Sequence, residues 1–97
     1  MEADQPVIVT TEFRGVFFGY VPKNQPRDVE TIRIERARMA VSWSADVRGV
    51  LGLAASGPST SCRIGPQVPA VTLRKATAVF ECSDESAKLW EKAPWTR

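Results

Sequence analysis

The chain has 97 residues, an apolar fraction of 43% and a formal net charge of +2, which suits one domain with one core and leaves no room for a second. It has no histidine and only two cysteines, Cys62 and Cys82, with no CxxC pair, so histidine base chemistry is excluded and a zinc site lacks soft ligands. No apolar run approaches the roughly 18 residues of a membrane span, and Met1 to Pro6 is acidic and polar, unlike a signal peptide.

The charge is unevenly placed. From Arg14 to Lys75 there are ten basic and four acidic residues, while the two ends together carry three basic and seven acidic ones. The basic residues are mostly arginine, which favours bidentate contact with carboxylate or phosphate. An anionic small ligand, a nucleic acid and a mixed solvated surface are all compatible with this pattern.

Residues 1–6 read as a flexible leader, with the core of a single domain over about 7–93 of residues 1–97. Val7 to Thr11 is β-branched throughout and predicts a first strand. Arg14 to Val21 predicts a second, in which Val16, Phe18 and Tyr20 share one side and Gly15, Phe17 and Gly19 the other. Glycines flanking Phe17 point to close backbone approach. Pro22 to Asp28 reads as a loop. Val29 to Glu35 predicts a third strand, Arg36-Ala37 a turn or bulge, and Arg38 to Trp43 a fourth. In that fourth strand Met39, Val41 and Trp43 share the apolar side, and Arg38, Ala40 and Ser42 form a shallow floor for a ligand or partner.

Ser44 is a good N-cap, with Asp46 in the first turn and Val47, Val50, Leu51 and Ala54 at helical spacing. Gly49 and Gly52 inside this helix suggest close packing against a neighbour. Gly57-Pro58 stops it. Ser56 to Ser61 is a polar connection without the ending of a phosphate-binding P-loop. Cys62 to Pro69 reads as an irregular edge segment because of its two prolines. Val71 to Cys82 is the longest strand pattern, with a bend at Arg74-Lys75. Ser83 caps a last helix that has Asp84 and Glu85 in its first turn and ends at Pro94. The expected class is α+β: a largely antiparallel five- or six-stranded sheet with two short helices.

No serine elbow or paired-carboxylate motif accompanies the missing histidine, so a non-enzymatic role is expected. Recognition of an anion is better supported. Arg38, Arg48 and Arg63 are the candidate donors, with the Ser44 hydroxyl and the helix start beside it. Phe17, Tyr20 and Trp43 are the candidate stacking rings. Trp43 as core and the arginines as solvated surface are the plainer alternatives. The acidic C-terminal helix dilutes the field, so a long nucleic acid is less favoured than a small anion.

The combination Gly15-Val16-Phe17-Phe18-Gly19, Ala37-Arg38-Met39, Trp43-Ser44, Cys62-Arg63-Ile64 with Pro69, Thr72-Leu73, Ala78-Val79 and Cys82-Ser83 resembles a family of short bacteriophage- and prophage-encoded proteins of unassigned function. It is more distantly similar to the phage anti-Thoeris sponges, oligomeric proteins that sequester cyclic ADP-ribose signals without catalysis. The resemblance implies a homo-oligomer in the host cytoplasm, with no cofactor and no membrane partner. It implies a nucleotide-like anionic ligand held by arginines and aromatics, with Phe17, Arg38, Trp43 and Arg63 as the positions to test. A structural or assembly protein and a single-strand nucleic-acid binder are the alternatives.

Overall fold

A computed structural model describes residues 4–12, 15–24, 30–43, 45 and 49–93. Its elements are β1 (Asp4–Thr11), β2 (Val16–Pro22), β3 (Ile32–Ser42), α1 (Gly49–Ala55), β4 (Arg63–Ile64), β5 (Val68–Leu73), β6 (Ala76–Glu81) and α2 (Asp84–Lys92). The fold is α+β, with a six-stranded antiparallel sheet and two short helices. The strand order is β4-β3-β2-β1-β6, and β5 shares the outer edge of β3 with β4.

Three boundaries differ from the sequence reading. Asp4 to Pro6 pair with Pro22 to Tyr20 and extend β1, so they belong to the sheet rather than to a leader. The expected third and fourth strands are one strand, bent at Arg36. The long pattern from Val71 to Cys82 is two strands, because Lys75 takes a left-handed backbone (φ 58°) and turns the chain.

That turn shapes the sheet. β5 and β6 are joined by only Arg74 and Lys75, yet they pair with β3 and β1 at opposite ends of the strand order. The ends of the sheet are therefore drawn together and the sheet curls. Inside the curl lie Val7, Val9, Val21, Ile32, Ile34, Ala37 and Leu73. Outside it, Ile8, Val16, Phe18, Tyr20 and Ala40 pack with Leu53, Ala54, Ala87 and Trp90 of the helices. Val7, Ile8 and Val9 are each 0% exposed, so β1 is covered on both sides, as an apolar strand without alternation requires. Gly19 faces inward, where an added Cβ would lie 2.9 Å from the Cβ of Ile34. The close approach read around Phe17 is thus partly an approach of β2 to Ile34.

The helices are locked to each other through the ends of α1. Its last carbonyls lack intrahelical donors, and the start of α2 supplies them. Ser83 N–H donates to Ala54 O (3.1 Å) and Ser83 Oγ to Ala55 O (2.7 Å). Ser86 Oγ donates to Leu53 O (2.5 Å). Ser83 Oγ also accepts from Ser86 N–H at 3.0 Å, which makes it the N-cap of α2 as expected. Gly57 closes α1 with φ 89°, its N–H reaching Gly52 O and Leu53 O. A side chain there would also meet Leu89 and Ser86 at 3.0 to 3.1 Å. Close packing between helices therefore sits at Gly57, not at Gly49, where an added Cβ meets nothing within 4 Å. Leu53 takes the inward position expected of Leu51, which is 68% exposed.

Ser83→Ala removes the cap and one clasp bond together, and should lower the unfolding free energy by about 1–2 kcal/mol. Ser83→Asp restores an acceptor for the Ser86 N–H but no donor for Ala55 O, so it should recover only part of the loss. Urea denaturation of the three proteins measures both steps.

Candidate functional site

The site grows out of one extra residue in β3. Tyr20 pairs with Glu35, but Phe18 pairs with Arg38, so β3 holds a bulge between them. Arg36 takes φ 52° there, a conformation that costs a residue with a Cβ about 1–2 kcal/mol. Two contacts offset that cost. The guanidinium of Arg36 lies 3.9 Å above the Tyr20 ring and 3.2 Å from Asp4 Oδ2. The bulge reverses the phase of the strand. Ile32 and Ile34 point into the curl before it. Beyond it, Ala37, Met39 and Val41 line the inner side, while Ala40 packs under the helices.

The opposite edge is broken as well. β4 pairs with Ala40 and Ser42, and β5 pairs from Ala37 back to Ile32. Gly65, Pro66 and Gln67 interrupt the ladder between them, where Pro66 has no N–H to donate. A pocket of about 340 Å³ opens at this break, lined by Phe17, Ala37, Arg38, Met39, Val41, Gly65, Pro66, Val68 and Val71. Four large hydrophobic side chains are exposed among the described residues, and three of them, Met39 (42%), Val41 (54%) and Val68 (42%), line this pocket. Such a cluster marks a contact surface in a way that scattered apolar residues do not.

Arg38 has a structural task beside the pocket. It is 8% exposed, with Nε donating to Gly65 O (2.7 Å) and Nη1 to Trp90 O (2.8 Å). It thereby ties the break in the ladder to the last turn of α2, where a positive charge meets the negative end of the helix. Trp90 stacks on Phe18 with ring centroids 5.0 Å apart, and the Tyr20 hydroxyl donates to Glu91. Burial pulls the Arg38 pKa below its ordinary value.

Of the expected site residues, Phe17 and Arg38 both border the pocket, but the Arg38 guanidinium is turned away from it towards the end of α2. Trp43 instead packs, half-buried, against the helix-side cluster. Arg63 is exposed on β4 opposite Ser42 and does not line the pocket. Ser44 and Arg48 lie outside the described residues. The shallow floor expected beside Arg38 is covered, since Ala40 is buried beneath the helices. The open floor is the Met39 and Val41 side. Met39, Val41, Val68 and Val71 were missed as pocket residues because alternation alone does not say which side of a strand is covered. The usable signal was an apolar run at Met39 and Val41 that follows a bulge and so changes side.

Elsewhere, no group of three histidine, cysteine or acidic side chains could hold a metal ion among the described residues. No helix among them is long and apolar enough to cross a membrane. Cys62 and Cys82 are both buried and unbridged. Burial pushes the Cys82 thiol from 9.0 up to about 12. A raised folded-state pKa gives stability that is full below about pH 9 and lost as pH rises towards 12. Urea unfolding of the native protein should therefore weaken across that window more steeply than that of Cys82→Ala, by up to about 1.4 kcal/mol per pH unit. Parallel slopes would contradict this.

No curated protein and no solved structure matches the chain. One family model matches residues 4–90, from the first residue of β1 to Trp90 on α2. That span contains every described residue of the pocket, and the chain belongs to the family described as a domain of unknown function, DUF6948.

Proposed function

We propose that this chain is a non-enzymatic binding protein whose site is the pocket walled by Phe17, Met39, Val41 and Val68. The observation that carries the reading is the convergence of three exposed large hydrophobic residues on one hollow of about 340 Å³, a size and lining suited to a small organic ligand. The lining residues carry no carboxylate, hydroxyl or thiol side chain, so the pocket offers no side-chain nucleophile or general base. Its chemistry is that of holding.

Sequestration of a nucleotide-derived host signal, such as a cyclic ADP-ribose isomer, by a phage-type protein is one specific form of this proposal. Phe17 in the pocket wall supports it, as a stacking ring. A structural or assembly role through protein contacts is the second reading. It draws on Met39, an adaptable side chain at an exposed apolar surface, and a homo-oligomer would be its simplest form. A nucleic-acid role has less support, because Arg33 and Arg36 are engaged by Glu35 and Asp4.

The test is incubation with cyclic nucleotides and cyclic ADP-ribose isomers, removal of free compound, denaturation and mass spectrometry of what is released. Ligand binding predicts a retained compound and a raised Tm, both lost in Met39→Glu. A protein that retains nothing, but shows a concentration-dependent dimer abolished by Val41→Asp, supports the assembly reading instead. Neither ligand nor dimer would contradict both.

A further inference from the structure

A pocket that selects a polar ligand keeps a few donors and acceptors turned towards it. Here the donors beside the pocket are spent on the fold. Arg38 alone among the described lining residues carries a charge. Its guanidinium leaves on the side of β3 that Ala40 presents to the helices, with Nε donating to Gly65 O (2.7 Å) and Nη1 to Trp90 O (2.8 Å). At the break in the ladder, bare backbone would be the next source of polar contacts. There Gly65 N–H donates to Met39 O (2.8 Å), Gly65 O accepts from Arg38, and Pro66 has no N–H to give. What remains is hydrocarbon from Phe17, Met39, Val41, Val68 and Val71. Three of these side chains stand open to water, and an apolar molecule seated among them removes that surface from water without leaving a polar group of its own unmatched.

We infer that the ligand of this pocket is an uncharged, compact apolar molecule of one or two rings, held by burial against Met39, Val41 and Val68. The inference rests on the binding role proposed above and names its ligand class. The hollow of about 340 Å³ has room for such a body, since an apolar cavity of about 150 Å³ already takes benzene. An anion would give up its hydration for a wall with no donor turned to it, and an ammonium would find no carboxylate among the lining residues. The phosphates of a nucleotide meet the same obstacle.

Titration calorimetry of the full chain with toluene, benzoate, benzylammonium and cyclic ADP-ribose tests it. Toluene and the two ions share a ring and differ in charge, so toluene should bind at least about tenfold more tightly than either ion. The ring current of bound toluene should also shift the Met39 methyl resonance in ¹³C-methyl-labelled protein, which places the ligand without any substitution. Met39 is 42% exposed, so variants there spare the core. Met39→Leu keeps the volume and should hold toluene affinity within about twofold, whereas Met39→Glu sets a charge in the wall and should lower it at least about tenfold. Benzoate or benzylammonium binding as tightly as toluene, or toluene binding without a shift at Met39, overturns the inference. Binding of cyclic ADP-ribose without toluene overturns the ligand class and leaves the binding role standing. No binding of any of the four overturns the class and removes the support for a small-molecule role.

Discussion

The bulge at Arg36 decides which chemistry lies on which side of the sheet. β3 runs eleven residues, and without the extra residue its second half would present Arg38 and Ala40 to the interior of the curl and Met39 and Val41 to the helices. With it, Ala40 completes the contact with the helices and Arg38 reaches the end of α2. Met39 and Val41 are left at an open mouth. The contacts that hold Arg36 in its left-handed conformation, to Tyr20 and Asp4, therefore act at a distance on the pocket.

Arg38 joins the two halves of the structure that the bulge creates. One of its hydrogen bonds reaches the carbonyl of Gly65 at the broken ladder, and the other reaches the carbonyl of Trp90. From Trp90 the linkage continues by stacking on Phe18 and through Leu53 O to α1. The wall of the pocket and the docking of both helices thus share one side chain. A guanidinium suits this place because its fork spans two carbonyls at fixed geometry, which a lysine ammonium does not.

Much of the framework was legible in the residues. β-branched Val7 to Thr11, the alternation of Val16, Phe18 and Tyr20, the Ser83 cap and the irregularity at Arg36-Ala37 each follow from local chemistry, and each is present. Less legible was anything set by what lies across from a residue. Met39 and Val41 alternate like core residues, and only the pairing with β2 and the break at Pro66 leave them open. Trp43 has the composition of a stacking residue, yet it packs against the helix-side core. The bend read at Arg74-Lys75 lies where β5 and β6 separate, but its sharpness, set by Lys75 at φ 58°, does not follow from the residue type.

The same reasoning separates the two arginines that seemed equivalent in sequence. Arg38 and Arg63 each stand beside a structural transition, but Arg38 faces the helices and Arg63 lies exposed on a two-residue strand. The central claim is that Met39 walls an open pocket. The chain has two methionines, Met1 and Met39, so ¹³C-methyl labelling gives a spectrum that one variant assigns. The Met39 methyl, 42% exposed, should be strongly broadened by a soluble paramagnetic agent in the free protein. A Met39 methyl protected in the free protein would contradict the account.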